Sequence, residues 1–172
     1  MIKIIGGTLI LAASTIAGFM YGESFKKRVI QLSEIQRSLY QLQNEIEFTH
    51  TALPEAFSNI SKKSIYPLDK LYSEISELLY LNKVENVNEA FEISIKDMKE
   101  NLFLANEDVN IILDLSKTLG ESDILGQKAI FSLTFENLNK QITAAEVKMQ
   151  KNVKMFRYLG FAFGAAIVTV LI

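Results

Sequence analysis

The chain has 172 residues, a formal net charge of −2 and no cysteine. This length suits one compact domain with short additional segments, since domains cluster near about 100–150 residues. The small negative charge provides no field that would attract a polyanion, so it argues against nucleic-acid binding. The absence of cysteine excludes disulfides, thiolate nucleophiles and zinc–thiolate sites.

The N-terminal segment is apolar over a length that suits a membrane helix. Eighteen residues from Ile4 to Tyr21 carry no charged side chain, and a hydrocarbon core of about 30 Å is crossed by roughly 20 residues of helix. A cleaved signal peptide is the alternative, because Lys3 precedes the run and small residues lie within it. We favour an uncleaved transmembrane helix over residues 1–22, because the run exceeds an ordinary signal-peptide core and continues into helix-forming sequence.

The C-terminal segment has the same character. Residues 158–172 carry no charge, and including the preceding apolar residues with a snorkelling Arg157 extends the run toward spanning size. We predict a second transmembrane helix over residues 155–172, with a buried core helix or a re-entrant segment as the alternative. Gly160 and Gly164 form a G-x-x-x-G pattern, which is typical of close helix packing in membranes.

Basic residues flank both apolar segments on the side of the central region. They are Lys26, Lys27, Arg28 and Arg37 after the first segment, and Lys148, Lys151, Lys154 and Arg157 before the second. Because cytoplasmic flanks carry an excess of lysine and arginine, residues 23–154 are predicted to be cytoplasmic and both termini to lie across the membrane. The predicted localisation is therefore the cell membrane, with two spans in contact with the lipid bilayer.

The central region shows helical spacing and no alternating runs of strand type, which leaves no sheet for a Rossmann or P-loop site. The first helix carries an apolar stripe at intervals of three and four residues, formed by Val29, Leu32, Ile35, Leu39, Leu42 and Ile46. The predicted fold is all-α, an antiparallel bundle of about six helices flanked by N- and C-terminal transmembrane helices.

Helix-start and helix-stop residues divide the central region after the first helix ends near His50. The predicted starts are Pro54 at the first helical position, Pro67 after Tyr66, Asn86 or Asn88, Asn106, and Ser122, while Gly120 ends the fifth helix. The sixth helix contains no proline and passes through Ile130, Leu133, Leu138, Ile142 and Val147.

One tripeptide occurs twice, as Glu55-Ala56-Phe57 and Glu89-Ala90-Phe91, 34 residues apart. This period is typical of tetratricopeptide repeats, but solenoids need about three or more units to bury a continuous core. Two copies therefore predict a pseudo-duplicated bundle instead of a repeat array.

No combination of residues indicates catalysis. His50 is the only histidine, and it has no partner at a metal-ligand spacing. Glu45 and Glu47 lie two residues apart, so on a helix they point to different faces and do not form an acid–base pair. Phosphate-binding, dinucleotide-binding and nucleophile-elbow motifs are missing from the sequence. The sequence predicts a protein that is not an enzyme, with no cofactor, no metal and no small-molecule substrate.

A series of short motifs nevertheless has a specific order and spacing. They are the glycine-bearing N-terminal span, Leu42-Gln43-Asn44-Glu45-Ile46, Leu53-Pro54-Glu55-Ala56, Leu119-Gly120-Glu121-Ser122-Asp123 followed by Gln127, and Lys154-Met155-Phe156-Arg157-Tyr158-Leu159-Gly160. By these motifs the chain resembles, over essentially its whole length, the stage III sporulation protein AB family of endospore-forming Firmicutes. Phe57 and Phe156 stand where leucine and tyrosine are more usual in the family.

The resemblance implies a non-enzymatic platform or scaffold subunit of the sporulation channel complex, in the mother-cell membrane around the forespore. The cytoplasmic domain would be similar to the F domain of the platform protein in type II secretion and type IV pilus machines. It would couple a cytoplasmic hexameric secretion-type ATPase, the stage III sporulation protein AA, to the other subunits of the membrane complex. The alternative is a helical membrane adaptor or signalling subunit that dimerises or binds another partner; a homo-oligomer is compatible with both.

Five polar residues inside the matching motifs are the hypothetical contacts for such a partner. They are Glu45, Glu47, Glu55, Asp123 and Gln127. The alternative role for all five is helix capping and solvation of the bundle, and this role is preferred for Asp123, which directly follows the Ser122 cap. Gly160 and Gly164 are the hypothetical packing residues within the membrane.

Overall fold

The computed structural model describes residues 2–119 and 124–171. Over these ranges the chain forms six α-helices and no β-strand, which confirms the predicted all-α class. In chain order the helices are α1 (Ile2–Glu47), α2 (Leu53–Ser61), α3 (Leu68–Tyr80), α4 (Val87–Asp97), α5 (Asn106–Thr118) and α6 (Ile124–Leu171). Gly120, Ser122 and Asp123, which belong to the predicted turn between α5 and α6, lie outside the described residues.

Contacts between residues divide the chain into two compact units. Unit 1 consists of Met1–Val29 and Thr143–Ile172, and unit 2 consists of Ile30–Ile142. Helices α1 and α6 each contribute to both units, whereas the four short helices belong to unit 2. The predicted segments 1–22, 23–154 and 155–172 follow hydropathy instead of contacts, and they stay predictions.

In unit 1, aromatic side chains join α1 to α6. The ring centroids of Tyr21 and Phe156 lie 4.7 Å apart, and those of Phe25 and Phe156 lie 5.8 Å apart. Beside these rings the backbones approach closely, because a Cβ atom added at Gly22 would lie 3.6 Å from the carbonyl oxygen of Val153. This is an ordinary van der Waals distance, so the two helices lie close together at Gly22 without requiring glycine there.

The sequence predicts membrane spans over residues 1–22 and 155–172. Among the residues that the structure describes, none of the helices is both long enough and apolar enough to cross a membrane. The structure does not describe the packing around Gly160 and Gly164. The close contact with another membrane helix that their spacing predicts therefore stays a prediction.

The first connection in unit 2 differs slightly from the predicted one. Helix α1 ends at Glu47, three residues before His50, and His50 has a φ of 52°, a left-handed conformation that does not continue a right-handed helix. Leu53 is the first residue of α2 and Pro54 the second, so the predicted position of the proline is wrong by one residue. Proline is tolerated at the second position because it lacks only an N–H group that would have no acceptor within the helix.

Capping interactions explain where α4 and α5 begin. Of the two predicted caps of α4, Asn86 and Asn88, the structure has Asn86, since its Oδ1 accepts the backbone N–H of Glu89 at 2.9 Å. The predicted Asn106 cap of α5 is wrong by one residue, because Ala105 occupies the cap position. The carboxylate of Asp108 accepts the backbone N–H of Ala105 at 2.8 Å, and this hydrogen bond stabilises the earlier start.

The predicted stripe of α1 forms part of the core, with Leu32, Ile35, Leu39 and Leu42 buried. On α6 the apolar residues divide between two faces: Leu138 and Ile142 are buried, whereas Leu133 and Val147 are 54% and 62% exposed. The buried face of α6 follows Phe131, Thr134, Leu138, Ile142 and Ala145. It includes a threonine and an alanine, so large apolar residues alone do not identify the covered face.

The repeated tripeptide lies in the core of unit 2. Ala56, Phe57, Ala90 and Phe91 are all buried, and the rings of Phe57 and Phe91 meet edge to face with their centroids 5.5 Å apart. The two copies therefore supply equivalent aromatic side chains, on α2 and α4, that pack directly against each other.

A buried carboxylate ties α1 to the connection between α2 and α3. Glu34 accepts hydrogen bonds from Nε of Arg37 at 2.8 Å and from the backbone N–H of Ile65 at 3.1 Å. Arg37 also donates to the carbonyl oxygen of Lys63 at 2.7 Å. The hydrogen bond from Arg37 is the largest contribution that lowers the pKa of Glu34, with the Ile65 N–H adding to it and burial opposing it.

Replacing this carboxylate should destabilise the fold in a pH-dependent manner. Glu34→Gln is expected to lower the free energy of unfolding at pH 7 by about 1–2 kcal/mol, because hydrogen bonds to a charged group are lost. The pKa of Glu34 is lowered in the folded state, so its contribution is present above the unfolded pKa of about 4.3 and is lost as the pH falls through the folded pKa. Denaturant unfolding of both proteins at pH 7 and at successively lower pH measures the difference. A difference that does not shrink in acid would contradict a role for the charge.

Glu74 on α3 is the opposite case. Burial raises its pKa most, followed by the charge of Asp97 on α4, a hydrogen bond with that side chain, and the charge of Glu77. The folded state therefore favours the protonated form of Glu74, and ionisation at neutral pH costs stability.

Glu74→Gln is expected to increase the free energy of unfolding at pH 7 by about 0.5–1 kcal/mol, because an amide can donate to Asp97 without carrying charge. Since the pKa is raised in the folded state, the penalty grows as the pH rises from the unfolded pKa through the folded pKa. The gain should therefore vanish in acid, in the same unfolding experiment as for Glu34→Gln. A variant less stable than the wild type at pH 7 would contradict this account.

Candidate interaction surface of unit 2

Hydrogen bonds bring the end of α1, the start of α2 and the end of α3 together. Glu45 on α1 accepts from Oγ1 of Thr51 at 2.9 Å and from Nδ2 of Asn59 at 3.3 Å. On α3, Ser76 donates its hydroxyl proton to the carbonyl oxygen of Pro54 at 2.7 Å. Because Ser76 lies one turn before the end of α3, the last turn of α3 lies close to the connection between α1 and α2.

The other helices meet at the same end of unit 2. Only six residues separate α3 from α4, so α4 begins close to where α3 ends. The hydroxyl of Ser116 donates to Oδ1 of Asn88 at 3.0 Å, which places the end of α5 beside the start of α4. Five residues separate the end of α5 from the start of α6. We call this end of unit 2, where α1, α3 and α5 end and α2, α4 and α6 begin, the tip.

Three large apolar side chains are exposed at the tip. Phe48, Tyr80 and Leu81 are 77%, 58% and 54% exposed. Single exposed apolar residues are normal on a protein surface, but a group of them indicates an interaction site. Tyrosine and phenylalanine also provide large contact areas at a low cost in side-chain entropy.

The charged side chains of the tip are mainly acidic. Besides Glu45, the acidic residues at the tip are Glu47, Glu55, Glu77, Glu85, Glu89 and Asp114, and the basic residues are Lys83, Lys117 and Lys128. Lys83 lies 4.0 Å from Glu77, and Lys117 lies 2.9 Å from Asp114. These two pairs largely cancel, so the remaining glutamates dominate the local field.

Four of the five predicted contact residues lie at the tip. Glu45 is occupied by its hydrogen bonds to α2, and Glu47 is half-buried and accepts from Nε2 of Gln43 at 2.7 Å. Glu55 is exposed in the first turn of α2, and Gln127 is half-buried in the first turn of α6. The fifth residue, Asp123, lies outside the described residues. Partner binding by these residues stays a prediction.

The sequence patterns do not indicate that Phe48, Tyr80 and Leu81 are exposed. An apolar residue at a helix end has the same local signature whether it is covered or exposed. Only Phe48 could have been recognised as exposed from the sequence. It lies two residues after Ile46, which does not fit the three- and four-residue spacing of the α1 stripe.

Metal chemistry receives no support from the geometry. Within residues 2–119 and 124–171, no three or more histidine, aspartate or glutamate side chains are grouped so that they could hold a metal ion.

The fold and the tip together define an all-α protein with a mainly acidic surface around exposed apolar side chains. A family model described as stage III sporulation protein AB matches residues 3–172, and the chain therefore belongs to that family. Stage III sporulation protein AB of Bacillus subtilis (strain 168) is 29% identical over 171 residues, which cover 99% of each chain. A solved structure of stage III sporulation protein AB aligns with a TM-score of 0.66 and 26% identity, covering 71% of this chain and 95% of that one.

These comparisons confirm the resemblance found in the sequence motifs. They support a role as a subunit of a sporulation complex, and with it an association with the membrane.

Proposed function

We propose that the chain is a membrane-anchored, non-enzymatic platform subunit of the sporulation channel complex between mother cell and forespore. In this proposal the tip of unit 2 docks the hexameric secretion-type ATPase, the stage III sporulation protein AA. The observation that carries the proposal is the exposure of Phe48, Tyr80 and Leu81 among carboxylates at one end of a helical unit.

The composition of the tip suits the docking of a basic protein surface. Aromatic anchors supply most of the binding energy at interfaces of this kind. The surrounding glutamates attract a positively charged partner and orient it, which accelerates association more than it increases affinity. Of the predicted contacts, Glu55 fits this role best, because it is exposed, whereas Glu45 is engaged in joining α1 to α2.

The two long helices offer a route for mechanical coupling. Within unit 2, the rings of Tyr40 on α1 and Phe135 on α6 stack with centroids 3.8 Å apart, so the two helices would respond together to a load at the tip. Both helices continue into unit 1. A continuous helix transmits a displacement better than a loop does, because each turn is hydrogen-bonded to the next.

Membrane anchoring of unit 1 is supported by the charge-free runs at residues 4–21 and 158–172. The contacts among Tyr21, Phe25 and Phe156 lie where these runs meet the basic flanks, and aromatic side chains are enriched at such membrane–water boundaries.

The docking proposal is tested with the full-length chain in detergent and the purified ATPase. Phe48→Ser and Tyr80→Ser are each expected to weaken binding by about tenfold or more, because truncation of an aromatic anchor costs about 2 kcal/mol. Glu55→Lys should mainly slow association and reduce its dependence on salt. Surface plasmon resonance at two salt concentrations measures both effects.

Ile65→Ser is the matched control, since Ile65 is similarly exposed but lies in the connection between α2 and α3, at the end of unit 2 opposite the tip. It should bind as the wild type does. Equal affinities for Phe48→Ser and the control would reject the tip as the docking face. Recovery of a self-dimer without the ATPase from sporulating cells would favour a dimeric adaptor instead.

The membrane arrangement is tested by labelling single cysteines, because the chain itself contributes no thiol. In cells with the full chain in the plasma membrane, Lys3→Cys and Ile172→Cys should react with a membrane-impermeant maleimide from outside. Lys62→Cys, at an exposed position of unit 2, should react only after the cells are opened. Labelling of Lys62→Cys in intact cells would overturn the proposed orientation.

A further inference from the structure

A second surface of unit 2 is a groove between α4 and α5. It encloses about 330 Å³, which is at the lower end of the range for ligand sites, about 300–1,000 Å³. Its apolar lining consists of Ile95, Leu102, Leu104, Val109 and Leu113, and its polar rim of Glu92, Lys96, Lys99 and Asn106. The apolar lining residues are half-buried, so their free faces are open to a ligand.

The groove has a firmly held wall. Gln31 on α1 is buried; its Nε2 donates to the carbonyl oxygen of Asn101 at 3.0 Å, and its Oε1 accepts the backbone N–H of Phe103 at 2.7 Å. These bonds fix the connection between α4 and α5. Gln31 precedes Glu47 by sixteen residues, or about 24 Å of helix, so this wall is remote from the tip.

The charged side chains that line the groove are Lys96, Lys99 and Glu92, so the lining has a small excess of positive charge. Neither Lys96 nor Lys99 forms an ion pair among the described residues. Two acidic side chains of α4 are engaged elsewhere: Glu92 accepts from Nδ2 of Asn88 at 2.8 Å, and Asp97 is hydrogen-bonded to Glu74 on α3. The two lysines are therefore available to carboxylates of a ligand.

We infer that this groove docks an acidic amphipathic helix of a partner protein, at a site separate from the tip. The helix would insert apolar side chains spaced three and four residues apart between α4 and α5. Carboxylates of the docked helix would meet Lys96, in the last turn of α4, and Lys99, two residues after the end of α4. A helix fits this groove better than an extended strand, because the described residues offer no sheet edge for backbone pairing.

The inference is tested by site-specific photo-crosslinking of the full chain in sporulating cells. Benzoylphenylalanine is introduced in turn at Val109 and Leu113, and the crosslinked segment is identified by mass spectrometry. The expected product is a helical segment with glutamate or aspartate beside apolar residues at three- and four-residue spacing. The same probe at Leu133, exposed on α6, should not capture this segment.

Charge reversal distinguishes specific docking from chance contact. Lys96→Glu/Lys99→Glu is expected to reduce the crosslink at least tenfold, whereas Lys62→Glu/Lys63→Glu, an equal charge change on exposed side chains of the α2–α3 connection, should leave it unchanged. Thermal unfolding of each purified variant in detergent shows whether the fold is retained.

Several outcomes would overturn the inference: no crosslink above that at Leu133, a crosslink to lipid or to a second copy of the chain, or a crosslink that the Lys96→Glu/Lys99→Glu variant retains. Phe48→Ser should leave the groove crosslink intact. If it also abolished the crosslink, the groove would not be a separate site, whereas failure of ATPase docking alone would leave the groove inference standing.

Discussion

Helix α1 organises unit 2 through two kinds of contact along its length. Its leucine and isoleucine stripe is buried, and full burial of each such side chain contributes about 1.5–3 kcal/mol. Between the apolar positions, Gln31, Glu34 and Glu45 hydrogen-bond the α4–α5, α2–α3 and α1–α2 regions respectively. One helix thus provides both the hydrophobic core contact and the polar contacts that hold the connections of the short helices.

This arrangement bears on where the two proposed interaction surfaces lie. Gln31 bonds two backbone groups of the α4–α5 connection, and apolar side chains of that connection, Leu102 and Leu104, line the groove. At the tip, Glu45 and Ser76 satisfy the backbone and side-chain groups of the first connection, while Phe48, Tyr80 and Leu81 project outward. An exposed apolar side chain on a well-ordered scaffold loses little freedom on binding, which favours its use as an anchor.

Opposite charge preferences would allow the two surfaces to select different partners. The tip combines aromatic side chains with glutamates, whereas the groove combines aliphatic side chains with unpaired lysines. A partner attracted to one surface would be repelled by the other, so the charge pattern itself would discriminate between them.

Local sequence patterns were sufficient for the helical class, the α1 stripe and an asparagine cap of α4 at Asn86 or Asn88. Each of these depends on interactions within a few residues, namely the three- and four-residue spacing of a helix face and a side chain that accepts an N–H in the next turn. The motifs that indicated the family are also contiguous in the sequence, which is why membership could be recognised before the fold was known.

The cap of α5 and the buried face of α6 were not determined in this way. Ala105 is the cap because Asp108 accepts its N–H, although Asn106 has the better side chain for capping. Leu133 is exposed and Thr134 is buried, since what decides burial is which face the other helices cover, not the polarity of the residue itself.

What the sequence by itself determined is therefore the set of helices, their approximate ends and the family to which the chain belongs. Only the tertiary structure decided which apolar residues stay exposed and which polar residues form hydrogen bonds that stabilise the fold. Gln31 meets its partners 70 and 72 residues away, and Glu34 meets Ile65 31 residues away. Contacts over such separations depend on how the helices pack, and no local pattern around either residue specifies them.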